Sequence, residues 1–162
     1  MFRSVKIYDG FSTVFRQHSA NGTHCKFLHG YGISFEVTFE GELDYRNWVA
    51  DFGLMKRAEK GRIDGMSPKA WMDYMFDHTV VIAEDDPYLK KFKKMDKQGI
   101  IQLRILPDVG AEKFAEYIFH KLNRFIQIEL EDRVKIVSVK FMEHGKNSAI
   151  YSRSEERRVG KE

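Results

Sequence analysis

Between Ile33 and Glu40 the chain alternates without a break: Ile33, Phe35, Val37 and Phe39 are apolar, while Ser34, Glu36, Thr38 and Glu40 are polar. Successive side chains of a strand point to opposite faces, so this run reads as a strand with one buried and one wet face, as in an antiparallel sheet. Directly upstream stands Cys25-Lys26-Phe27-Leu28-His29-Gly30-Tyr31-Gly32. It places the chain's only cysteine four residues before a histidine, at the entrance to that strand.

The rest of the chain orders itself around this strand as β-β-α, a loop-rich middle, then β-α-β. Phe2 to Tyr8 and Phe11 to Arg16 read as one bent strand or two short ones, interrupted at the turn dipeptide Asp9-Gly10. Trp48 to Lys56 begins extended and turns helical after Asp51, which would cap that helix. Ser67-Pro68 is a helix start, with Ser as N-cap and Pro at the first helical position. The helix presents Trp71, Met72, Met75 and Phe76 to the core and ends near Asp77-His78-Thr79. Ile100 to Leu106 is a short strand closed by Pro107, and Ala111, Phe114, Ala115, Ile118 and Leu122 trace a second helix of about three turns. Val134 to Glu143, rich in β-branched residues, is the final strand.

A chain of 162 residues is one domain by length. The reading is a single domain over residues 1–151, with a charged, disordered tail from Ser152 to Glu162. One cysteine excludes an internal disulfide and suits a reduced, cytoplasmic protein. No apolar run reaches the ~20 residues of a membrane span. The net charge of +3 suits an anionic small substrate as well as nucleic acid. Lys90 to Lys94 and Arg153 to Arg158 carry much of the basic character, but neither has the interleaved aromatics of a single-strand binding platform. A solvated surface is the better reading of both, which argues against nucleic acid as partner.

Six segments, in order, resemble one known family. Phe11-Ser12-Thr13-Val14-Phe15-Arg16 is similar to Phe-x-Ala-Ala-His-Arg, and Cys25 to Tyr31 to Cys-x-x-x-His-Gly-His. Trp48 to Phe52 is similar to Gly-x-(Val/Ile)-x-Asp-Phe, and Phe76-Asp77-His78 to Leu-Asp-His. Pro107 with Glu112 is a loosened Pro-Thr-x-Glu, and Val139 to Glu143, continued to Tyr151, resembles a final strand bearing a ligand-anchoring glutamate. These are the signatures of the 6-pyruvoyl-tetrahydropterin and 6-carboxy-tetrahydropterin synthases. The resemblance implies an α+β tunnelling fold: a four-stranded antiparallel sheet, two helices packed on one face, and oligomerisation into a barrel as a trimer or hexamer with sites between subunits. It implies a lyase acting on dihydroneopterin triphosphate, with loss of triphosphate and rearrangement or cleavage of the side chain.

Such chemistry starts with proton abstraction from a carbon and needs a base near neutral pH and an electrophile for the developing oxyanion. The resemblance assigns the base to Cys25, whose alternative fate is that of an inert thiol. Asp77 and His78 would form a relay in which the carboxylate fixes the imidazole tautomer; the alternative is a histidine meeting free carbonyls at a helix end. Glu143 would accept the paired N–H donors of an aminopyrimidine.

The resemblance also implies zinc on three histidines, and here the chain departs from it. His29 remains, but Phe15 holds the first position and Tyr31 the third. Three arrangements are open: the metal is lost; it is rebuilt around His29 with His18 or His24, with or without Tyr31; or the alignment of the first segment is slipped. His18 lies three positions beyond Phe15, and odd spacing on a strand reverses its face, so rebuilding needs a loop there. The sequence therefore supports a pterin-pathway lyase first, and second a pterin- or purine-binding member of the same fold that has lost zinc.

Overall fold

The computed structural model describes residues 1–154. Its first strand, β1 (Phe2–Phe15), runs antiparallel to β2 (His29–Gly41). The Asp9-Gly10 interruption does not split β1. It appears as a register shift between Tyr8 and Phe11, with Gly10 at φ +83°, a bulge conformation that glycine adopts without steric cost. On β2, Ile33, Phe35, Val37 and Phe39 are all buried, as the alternation requires.

Helix α1 (Pro68–Phe76) starts as read: the Ser67 hydroxyl accepts a hydrogen bond from the Ala70 N–H, with Pro68 in the first turn. It leads into β3 (Thr79–Ala83), which lies parallel to β1. A second helix, α2 (Leu89–Lys97), then returns the chain to β4 (Leu103–Leu106), parallel to β3. Helix α3 (Ala111–Glu129) is 19 residues long, about five turns, because Phe125 and Ile126 continue its buried stripe. Strands β5 (Val134–His144) and β6 (Asn147–Ser152) complete an antiparallel hairpin.

The result is one six-stranded sheet in the order β4-β3-β1-β2-β5-β6. This corrects the expected four-stranded antiparallel sheet with two helices. The sheet is mixed, because β3 and β4 join it in parallel, and α2 adds a third helix. The stretch after Asp51 forms hydrogen-bonded turns and no helix; Asp51 instead accepts from the Gly53 N–H and the Arg57 guanidinium. The charged tail begins later than Ser152, which closes β6, and Arg153 donates to the Ile136 carbonyl and to Asn123. Residues 155–162 lie outside the described residues.

One face of the sheet is covered by α1 and α3 through an aromatic core. Phe76 meets Phe35, Phe114 and Phe141 at centroid separations of 6.3, 5.9 and 6.2 Å. All four rings are fully buried. Each fully buried ring contributes roughly 1.5–3 kcal/mol of transfer free energy. The other face carries Val5, Ile7 and Ile150, all exposed.

Candidate functional site

The end of β1 lies against the start of β2, with Phe15 opposite His29 and Thr13 opposite Tyr31. Paired residues share a face, so Phe15, His29 and Tyr31 stand together on the side that bears the helices. Phe15 is buried, stacked on Tyr31 at 4.5 Å and 19°, and set edge-on to Phe114 at 5.0 Å. The His29 ring leans on Tyr31 at 4.8 Å. The three positions that the resemblance assigns to a metal triad thus lie together, as an aromatic stack.

These residues do not fit a catalytic zinc, which takes three protein ligands and keeps one position open. Phe15 offers no donor atom. Burial pushes the Tyr31 phenol up, with Glu143 and Cys25 adding to the effect, which works against the phenolate a metal would need. His18 cannot easily complete the set: its Nε2 lies 3.1 Å from Asp85 Oδ1. His24 sits in an exposed single turn beside Cys25. Among the described residues, no three His, Cys, Asp or Glu side chains gather in a way that could hold a metal ion.

Cys25 is exposed, in a 3-10 turn (His24–Lys26) whose Thr23 hydroxyl accepts from the Cys25 N–H. The Cys25 carbonyl accepts from the Gln17 N–H at 2.8 Å. The turn is anchored by a residue whose role the sequence did not disclose. Arg16 grips buried Asp86 with two hydrogen bonds of 2.7 and 2.8 Å and donates a third, of 3.2 Å, to the Lys26 carbonyl. Burial opposes ionisation of Asp86, but Arg16 and the Tyr88 N–H outweigh it and hold the carboxyl below its ordinary range.

Glu143, near the end of β5, faces the same cluster. Burial pushes its carboxyl up; His144 and His29 pull it down, and Glu112 in the first turn of α3 pushes it up further. Glu143 therefore approaches His29 and Tyr31 from β5 and has Glu112 of α3 for a neighbour, and Glu112 becomes a candidate site residue that the sequence marked only as part of a loosened motif.

Asp77 and His78 are joined, with Nδ1 3.0 Å from Asp77 Oδ1, and the same carboxylate oxygen accepts from the Ser12 N–H at 3.2 Å. His78 takes φ +57°, the left-handed region, just past the C-terminus of α1. Its neighbour Thr79 opens β3, buried opposite Thr13. Among the described residues, no hydrogen bond or ion pair joins Cys25 to Asp77 or His78. The fold thus gathers Cys25, His29, Tyr31 and Glu143, and pairs Asp77 with His78 beside Ser12.

A mixed sheet with α1 and α3 on one face, and a cysteine turn feeding a cluster of carboxylates and aromatics at strand ends, defines an α+β ligand-site domain. Residues 5–154 match the family described as 6-pyruvoyl tetrahydropterin synthase, and the chain belongs to that family. A 6-carboxy-5,6,7,8-tetrahydropterin synthase of Rickettsia typhi is 28% identical over 121 residues, covering 74% of this chain and 78% of the relative. In fold, an uncharacterised protein of Wolinella succinogenes superposes with a TM-score of 0.77 at 21% identity, covering 94% of this chain and 98% of the other. The 6-pyruvoyl tetrahydropterin synthase of Caenorhabditis elegans gives 0.60 at 19% identity, over 94% and 96% of the two chains.

Proposed function

We propose that this chain is a pterin-pathway lyase acting on dihydroneopterin triphosphate. The observation that carries the reading is the convergence of Cys25, Tyr31, Glu143 and Glu112 at one end of the sheet. Glu143 accepts the paired N–H donors of the aminopyrimidine, a charge-assisted bidentate contact, and Glu112 reinforces the acceptor field. Cys25, exposed beside this pair, takes a proton from a side-chain carbon. The electron pair released moves along the side chain, and the C–O bond to triphosphate breaks with its pair leaving on the phosphate oxygen. The 6-carboxy names of the curated relatives favour the carboxy-type product.

No hydrogen bond or ion pair among the described residues joins the Asp77–His78 pair to Cys25 of its own chain, and in this reading the pair serves the site of a neighbouring copy. Exposed Val5, Ile7 and Ile150 on the uncovered sheet face, and β4 and β6 as sheet edges, support assembly of several copies. No helix among the described residues is long and apolar enough to cross a membrane.

A second reading, a pterin- or purine-binding protein without turnover, is favoured by Phe15 in place of a metal ligand. Incubation with dihydroneopterin triphosphate separates the two. The lyase releases triphosphate, and Cys25→Ala abolishes release while leaving the unfolding midpoint unchanged. A chain that binds the substrate through Glu143 but releases nothing is the binding protein.

A further inference from the structure

The mismatch at the triad positions has a positive content. Phe15 and Tyr31 are in ring contact at 4.5 Å, and Phe114 seals the far edge of Phe15. A zinc ion needs ligand atoms about 2.0–2.3 Å away on several sides, and a buried stack of this kind supplies neither the gap nor the donors. What it does supply is a rigid apolar floor with two polar groups at its rim. Among the described residues, neither the Tyr31 hydroxyl nor the His29 ring nitrogens have a hydrogen-bond partner, although both residues stand within the electrostatic reach of Glu143. Tyr31 is half-buried and His29 exposed, so both polar ends remain open to a ligand held by Glu143.

We propose that this chain works without zinc, and that the Tyr31 hydroxyl and the His29 imidazole, fixed by the Phe15–Phe114 floor, are the hydrogen-bond donors to the oxyanion of the substrate side chain. The proposal rests on the pterin-lyase reading for its substrate but not for its metal content. Preorganised donors in a partly desolvated site are the recognised alternative to a Lewis acid at a developing oxyanion. Phe15 is then a positioning residue: it touches no substrate and holds the Tyr31 ring by stacking. Proton and electron bookkeeping is unchanged from the elimination above, because the donors stabilise charge without taking a proton.

The test uses the purified full chain. After incubation with one equivalent of zinc and desalting, elemental analysis is expected to find far less than one zinc per chain, and chelator dialysis to leave triphosphate release unchanged. Tyr31→Phe is expected to lower kcat by about 10²-fold, the usual loss of one oxyanion donor, with KM moved little. The double variant Phe15→His/Tyr31→His is expected to take up close to one zinc per chain, since the strand register already brings the three positions together. Near one zinc per parent chain, or full kcat in Tyr31→Phe, would overturn the proposal. So would a folded double variant that takes up no zinc. If the parent releases no triphosphate at all, the lyase reading fails, and zinc content of the parent and double variant still decides the metal half separately.

Discussion

His78 is a non-glycine residue at φ +57°, immediately after the C-cap of α1, a place where glycine is the usual occupant. Holding an L-residue there costs about 1–2 kcal/mol. The compensating contacts are weak: the His78 side chain is 77% exposed, and its ion pair with Asp77 belongs to the class worth about 0–1 kcal/mol. The strong local bonds, from the His78 N–H to the Ser12 carbonyl at 2.7 Å and from the Gln102 amide to the His78 carbonyl at 3.0 Å, are made by its backbone and survive substitution. His78→Ala therefore keeps the strain and loses the ion pair. His78→Gly relieves the strain, at a chain-entropy cost of roughly 0.5–1 kcal/mol. The glycine variant should be about 0.5–1 kcal/mol more stable than the alanine variant and close to the parent, an offset of roughly 1–4 °C in a domain of this size. Urea unfolding of the three proteins, compared at their midpoints, measures this. An alanine variant as stable as the glycine variant would refute the claim that the backbone is strained. Strain kept at an exposed imidazole is consistent with the catalytic role proposed for His78.

Asp86→Asn leaves the Arg16 guanidinium without its partner in a mostly buried setting, and should cost about 3–5 kcal/mol at neutral pH in denaturant unfolding. Asp86 is held below its ordinary range in the folded chain, so its contribution is present above the unfolded value near 4 and is lost as pH falls through the lower folded value. The gap between parent and variant should close at acid pH. Glu143 has the opposite sign: its folded carboxyl is raised, so the empty site destabilises the chain as pH rises from about 4 through that raised value. Glu143→Gln should be at least as stable as the parent at pH 7 while losing pterin affinity, read by thermal shift and by fluorescence titration.

The strand at Ile33–Glu40 and the start of α1 were legible because each is specified locally, one by a period of two and the other by its Ser-Pro cap. Helix α2 was not, because Phe92 is its only buried residue and five lysines surround it; a single anchor has no period. Strand β3 was missed for the reverse reason. Thr79-Val80-Val81-Ile82-Ala83 is an interior strand with little exposed surface, so it shows no alternation to read. The extent of α3 was recoverable, since Phe125 and Ile126 continue the spacing of Leu122. At the site, motif order found Cys25, His29, Tyr31 and Glu143, and the fold gathers them. Order along the chain says nothing about which side chains meet, and so gave no warning that Asp77 is engaged by His78 and the Ser12 N–H and makes no bond to Cys25. Arg16, Asp86 and Glu112 act across long sequence separations, Arg16 and Asp86 being 70 residues apart, and only the folded chain reveals their partners.

The central claim is that Cys25 from one copy and His78 from another make one catalytic site. It is tested most directly by complementation between two single variants, Cys25→Ala and His78→Ala, unfolded and refolded together and then assayed for triphosphate release from dihydroneopterin triphosphate. Each variant alone should be inactive, and the mixed assembly should recover a clear fraction of parental turnover. A mixed assembly as inactive as its parts, or either variant alone turning over like the parent, would contradict the account.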